Sequence, residues 1–374
     1  MASHGVPRGP RTRTDEQKRI DADKIAKYHE LEAKIKQSTS FDATVFDYTT
    51  RLLRLNPEYY TVWNVRRRCL TSSLLSTASA SATASASSDP LTDEQLEASR
   101  AKDSDILQGE LHYTIPLLLE FPKCYWIWSY RLWVLQQAVQ RLDVPRARRI
   151  WQDELALDSK MLTKDRRNFH AWGYRRQVVE QLEARALNGT SMVEAEFAYT
   201  TKMIHRDLSN FSAWHNRSKL IPTLLSERGA DDAERKAFLE SELGLVREAL
   251  NVGPEDQSLW FYHQFLMLNL TDYIGHPTIA PGLSREERMT YIAREMDDVR
   301  ELLEDYDDVK WVYEALLEYT LAVAKMDGER PLEDAEKADT QAWLDKLREL
   351  DPKRSGRWDD VEMEYIRGRR PNYE

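Results

Sequence analysis

Cysteine is nearly absent: the 374-residue chain holds two, Cys69 and Cys124, and neither belongs to a CxxC pair. No disulfide framework or zinc site can be built from them, which suits a reducing compartment. Glycine is scarce as well, at 13 residues, and strand-like alternation is hard to find, so helices are expected to dominate. No apolar run approaches the roughly 20 residues of a membrane span, and the start, MASHGVPRGPRTRTDEQKR, lacks an apolar stretch of signal-peptide type. A basic excess is also missing. With 53 Lys+Arg against 63 Asp+Glu the net charge is -10, which argues against a nucleic-acid partner. The expectation is a cytoplasmic protein, not an integral membrane protein, with residues 1–20 as a flexible arm.

What the chain does have is tryptophan at a period. The runs NPEYYTVWNVRRRCL, FPKCYWIWSYRLWVL, RNFHAWGYRRQVV, SNFSAWHNRSKLI and PEDQSLWFYHQFLM each centre on one indole: Trp63, Trp128, Trp172, Trp214 and Trp260. A weaker sixth copy, VKWVYEALLEY, centres on Trp311. Such self-similarity is the signature of a repeat architecture. The first interval is lengthened by an Ala/Ser tract at 71–90, read as a flexible insertion because it cannot bury enough surface to offset its ordering entropy.

Within each copy the pattern is helical. An aromatic precedes the tryptophan by three (Tyr60, Tyr125, Phe169, Phe211), and a basic group follows by three (Arg66, Arg131, Arg175, Arg217, then His263). An apolar residue follows by seven, and these spacings predict one shared helix face. Pro57, Pro122 and Pro254 are expected in the first helical turn, with Asn56 and Ser209 as caps. Another apolar residue ten positions before each tryptophan belongs to a preceding helix, so each copy is a helical hairpin. Stacked hairpins predict an all-α fold: an α-α superhelix, or solenoid, forming a single repeat domain over 21–366.

Pro-x-x-Tyr-x-x-Trp-x-x-Arg resembles the repeat of protein prenyltransferase α subunits from about residue 42 onward. The runs RNFHAWGYRR, SNFSAWHNRSKLIP and DQSLWFYHQFL, with the tail LRELDPKRSGRWDDVEMEYI, are similar to the Rab-type (type II) subunit. The compact form is implied, without an immunoglobulin-like or leucine-rich repeat domain, as is a crescent shape. The resemblance implies a heterodimer that transfers geranylgeranyl from its diphosphate to cysteines of Rab GTPases, with a Rab escort protein. In that family zinc lies on the β subunit, so this chain is expected to bind no cofactor and to be inactive alone. Two other readings stand: the α subunit shared by the CaaX enzymes, and a non-enzymatic helical scaffold.

The resemblance places Arg167 at the family's diphosphate-side lysine, where a guanidinium fork suits phosphate oxygens. A solvated or interface arginine is the alternative. Asn168, Phe169 and His170 are implied as substrate-binding positions, with a core role expected for Phe169 and a structural histidine as the other reading of His170. Arg66, Arg131, Arg175 and Arg217 recur with the repeat and are expected to pair between stacked helices. His4, on the arm, is a candidate to reach a partner's zinc. The charged face of YIAREMDDVRELLEDYDD (291–308) is a candidate escort surface, solvation being the simpler account.

Overall fold

The computed structural model describes residues 14–76, 92–328 and 330–366. His4 and most of the Ala/Ser tract lie outside them. Helices and turns account for the structure, with no strand among the described residues, so the fold class is all-α. The chain divides into two compact units, Met1–Thr190 and Ser191–Glu374.

In the first unit, α1 (Asp15–Gln37) packs on a hairpin of α2 (Ala43–Leu55) and α3 (Tyr60–Cys69). Hairpins of α4 (Asp93–Glu120) with α5 (Tyr125–Arg141) and α6 (Val144–Lys164) with α7 (Phe169–Glu183) follow. The second unit holds α8 (Val193–Arg206) with α9 (Phe211–Glu227), α10 (Asp232–Val252) with α11 (Gln257–Thr271), and α12 (Arg285–Asp305) with α13 (Lys310–Met326). α14 (Asp334–Leu350) packs on α13, and α15 (Ser355–Val361) packs on α14. Thr14 with Gln17 makes a capping box, so helix begins inside the stretch expected to be a flexible arm.

The tryptophans anchor the hairpins through one repeated hydrogen bond. Each indole Nε1–H donates to the carbonyl six residues back: Trp63 to Pro57 (2.8 Å), Trp128 to Pro122 (3.0 Å), Trp172 to Arg166 (2.8 Å), Trp214 to Leu208 (2.7 Å) and Trp260 to Pro254 (2.5 Å). A large apolar ring with one donor suits this task, because the ring fills the core while the turn between helices gains a donor. The prolines therefore sit in the inter-helix turn, not in the first helical turn. Asn56 caps the end of α2, and the cap of α9 is Asn210, not Ser209.

This bond also corrects the sixth centre. Tyr313, not Trp311, takes the anchoring role, its hydroxyl donating to Asp307 O six residues back at 2.8 Å. Trp311 is half-buried, two positions earlier on the helix.

A buried polar ladder links successive hairpins. The arginine three past the tryptophan forks onto a glutamate in the first helix of the next hairpin: Arg66 to Glu110 (2.6 and 2.7 Å), Arg131 to Glu154 (2.8 and 2.5 Å), Arg217 to Glu242 (2.7 and 2.6 Å). The tyrosine two past the next tryptophan donates to the same carboxylate, as Tyr130 does to Glu110, Tyr174 to Glu154 and Tyr262 to Glu242. Burial first, and the adjacent carboxylate next, push these three phenols well above their usual range. Arg175 pairs with Asp158 (3.6 Å) and donates to Ser159 (2.9 Å) within its own hairpin. The fifth rung differs: His263 Nε2 lies 3.4 Å from Glu295, which also faces Arg294 (3.1 Å) and Arg247 (3.7 Å).

Candidate functional site

The fold turns one position of each copy toward solvent. The aromatics three before the tryptophan are exposed: Tyr60, Tyr125, Phe169 at 69% and Phe211. Phe169 is thus not core, contrary to expectation, because as the first residue of α7 it precedes the face that Trp172 and Arg175 bury. In the first unit the exposed rings run from Tyr60 against Trp126 (5.3 Å) to Tyr125 near His170 (6.4 Å) and Phe169 on His170 (4.0 Å). In the second, Phe211 meets Phe261 (6.2 Å), which meets Trp311 (5.9 Å). Each unit carries an uncovered aromatic row along the starts of its second helices, the kind of patch that marks an interaction surface.

Arg167 is exposed, in the turn that leads into α7. Asn168 is 3% exposed. Its Oδ1 accepts from the amides of His170 (3.0 Å) and Ala171 (3.4 Å), and its Nδ2 donates to Pro122 O (3.0 Å). An asparagine so occupied caps its helix and ties its turn to the neighbouring one. Replacing Asn168 by alanine is expected to cost about 1–2 kcal/mol in a urea titration.

Pro122 O thus accepts from Trp128 of its own hairpin and from Asn168 of the next. Pro57 O does the same with Trp63 and the Cys124 thiol (3.5 Å). This double acceptance sets the two turns side by side, with Lys123 in one and Arg167 in the other. Both cations stand five before a tryptophan. The same register reads Glu58, Lys123, Arg167, Ser209 and Glu255, so only the second and third copies are cationic there. Comparing that column across copies would have found Lys123, which reading one copy at a time missed.

The Lys123 side chain is 75% exposed, with Asp165 at 4.0 Å. His170 is held below its usual pKa, by partial burial first and then by Lys123, with Glu58 opposing. A neutral imidazole near pH 7, two exposed cations and exposed Tyr125 and Phe169 make a rim that suits an anionic group with an apolar tail.

The second unit has a different cleft, about 740 Å³, between α10 and α12. Its lining includes Arg247, Glu248, Asp298, Glu301 and Asp305, so it is predominantly acidic. Among the described residues no group of three or more His, Cys, Asp or Glu side chains is placed to hold a metal ion, and no helix is long and apolar enough to cross a membrane.

The protein prenyltransferase alpha subunit repeat matches at residues 42–73, 107–138, 151–182, 193–224 and 239–270, the first five hairpins. The geranylgeranyl transferase type-2 subunit alpha of Schizosaccharomyces pombe is 33% identical over 358 residues, covering 92% of this chain and 94% of that protein. The corresponding protein of Candida albicans is 29% identical, covering 71% of this chain and 72% of its own length. The human one is 31% identical over 62% of this chain, which spans 35% of that longer protein.

Proposed function

Because the chain belongs to the protein prenyltransferase alpha subunit family, with likeness to type-2 geranylgeranyl transferase subunits running through 92% of it, we propose that it is the α half of a Rab geranylgeranyltransferase. The heterodimer moves a geranylgeranyl group from its diphosphate to cysteines at the C-terminus of Rab GTPases, and this chain alone does not turn over. The observation that carries the reading is the pairing of Lys123 with Arg167 in adjacent turns, beside exposed aromatic rings. The β subunit covers the aromatic rows, and the cationic rim then faces the diphosphate leaving group. Negative charge grows on that group as the allylic carbon–oxygen bond breaks, and fixed cations stabilise it.

A zinc ion held by the β subunit would favour the thiolate form of the acceptor cysteine, which is the nucleophile. What this chain contributes is charge and position. Lys123 and Arg167 meet diphosphate oxygens, neutral His170 adds a hydrogen-bonding nitrogen without a third charge, and Asn168 holds the turn. The acidic cleft between α10 and α12 is the surface offered to the escort protein, whose docking side would then be basic.

Co-expression with a type-2 β subunit tests the reading. A stable heterodimer that labels a Rab with geranylgeranyl only when the escort is present is the expected result. Labelling of a CaaX peptide without escort, or no stable β partner, would overturn it.

A further inference from the structure

The groove between α9 and α11 stands open where the corresponding groove of the first unit is filled. In α3 the residue four past the tryptophan is Arg67, whose guanidinium lies 5.7 Å from the rings of both Tyr130 and Trp133 on α5. It donates to Asn64 Oδ1 at 2.8 Å and to Ser129 O at 3.4 Å, so the chain plugs its own groove. In α5 the same position is Leu132, another long side chain, but in α9 it is Ser218. The rings that Arg67 covers have their counterparts in Tyr262 and Phe265, 5.7 Å apart on α11, and a serine is too short to cover them. What remains is a cavity of about 440 Å³.

Its make-up says what belongs in it. Trp214 and Tyr262, both buried and 4.6 Å apart, form the floor, with Phe265 beside them. Phe211 and Phe261, 50% and 42% exposed, form the lips. Mainly aromatic walls with a few polar groups, in a volume of this order, are the marks of a binding pocket. Two of those polar groups orient an occupant. Pro222 interrupts the hydrogen-bond ladder of α9 and has no N–H, so the Ser218 carbonyl one turn earlier lacks its helical donor. Ser218 and Pro222 both line the groove, which puts that acceptor at its wall. Lys219 stands exposed at the rim, and among the described residues no carboxylate pairs with it or lines the groove.

We propose that the groove receives a tryptophan or tyrosine side chain of the subunit that covers the aromatic row, with a carboxylate beside it that pairs with Lys219. The five rings offer a sixth one offset and edge-on contacts, and its N–H or O–H meets the Ser218 carbonyl. A guanidinium placed as Arg67 is in the first unit would meet Lys219 as a like charge. That the covering subunit is a type-2 β subunit rests on the function proposed above; the groove's preference for a ring with a donor and an adjacent negative charge does not. Large rings seated in desolvated pockets dominate the binding energy of an interface, so one side chain sets much of the second unit's grip.

Two measurements test this. In the first, the type-2 β subunit is titrated with the full chain and with its Ser218→Arg and Ser218→Leu variants, which restore the plugs of the first two copies. Both are expected to weaken the heterodimer about tenfold or more, with thermal melts like that of the unaltered chain. Lys219→Ala is expected to weaken it less and to flatten its salt dependence. Unchanged dissociation constants for both plugged variants would overturn the proposal. The second measurement needs no partner. N-acetyltryptophan, an indole with a free carboxylate, is titrated against the full chain and followed by saturation-transfer NMR of its own signals. Saturable binding that is lost in Ser218→Arg, and that N-acetylarginine methylamide does not displace, is expected. Absence of binding, equal binding to Ser218→Arg, or displacement by the arginine compound would sink the proposal. Indole binding without any β subunit binding would remove the functional reading and keep the groove, whereas a heterodimer indifferent to both plugs would do the reverse.

Discussion

Replacing Glu154 by alanine is expected to destabilise the protein by about 3–5 kcal/mol, a large share of the roughly 5–15 kcal/mol that holds a typical domain together. The reason is what the carboxylate leaves behind. Arg131 is 1% exposed and keeps its Nη1 bonds to Leu111 O and Thr114 Oγ1, both 2.5 Å. Its Nε and Nη2 lose their acceptors together, and the Tyr174 hydroxyl, 2.8 Å from Glu154 Oε1, loses its own. A full positive charge is then buried without an opposite charge, far costlier than the absence of the pair. The combined variant Arg131→Met, Glu154→Leu, Tyr174→Phe removes every group that needs a partner and is expected to recover most of the loss. Urea midpoints followed by circular dichroism distinguish the cases. Equal losses in the single and triple variants would mean that packing, not the stranded charge, sets the cost.

The second large effect falls on turnover. Lys123→Ala with Arg167→Ala in the assembled heterodimer is expected to lower the rate of geranylgeranyl transfer by about 10²-fold, the scale seen when a donor to a developing charge is removed. Each single variant should lose less, since the remaining cation stays beside the same leaving group. Lys123→Arg should recover much of the rate, and all variants should assemble with the β subunit like the unaltered chain, because both side chains are exposed. Unchanged turnover in the double variant, with assembly intact, would reduce the rim to surface charge. A fall in assembly instead of turnover would make it an interface.

Much of this architecture is legible in the sequence because tryptophan is a rare residue with a single donor, and the fold uses both properties in the first five copies. The apolar positions ten before and seven after it, such as Leu162 and Val179, are buried as their spacing demands. The sixth centre was harder to read because Tyr313 replaces the indole donor with a hydroxyl, while Trp311 nearby carries the more conspicuous side chain. The exposure of Phe169 escaped for a geometric reason. At 3.6 residues per turn, positions three before and three after a tryptophan lie about 120° apart, so burying the arginine side turns the aromatic outward. Asn168 shows a further limit. Its three hydrogen bonds reach the amides two and three positions on and a carbonyl 46 positions earlier, and only the local two leave a trace in the sequence.

The histidine at the fifth rung has consequences for how the molecule comes apart. In a linear array, cooperativity passes from neighbour to neighbour, and the weakest coupling decides where a native chain first opens. His263 meets Glu295 at 3.4 Å with one ring nitrogen and the Tyr319 hydroxyl at 2.7 Å with the other, a rung without the charged two-bond fork of 2.6 and 2.7 Å by which Arg217 holds Glu242. Native-state hydrogen exchange should therefore find a seam between α11 and α12, with the amides of α12 and α13 exchanging through partial openings that leave α8 to α11 closed. A hairpin of the second unit that opens while its neighbours hold would make that unit separable at α12 and α13 without global unfolding.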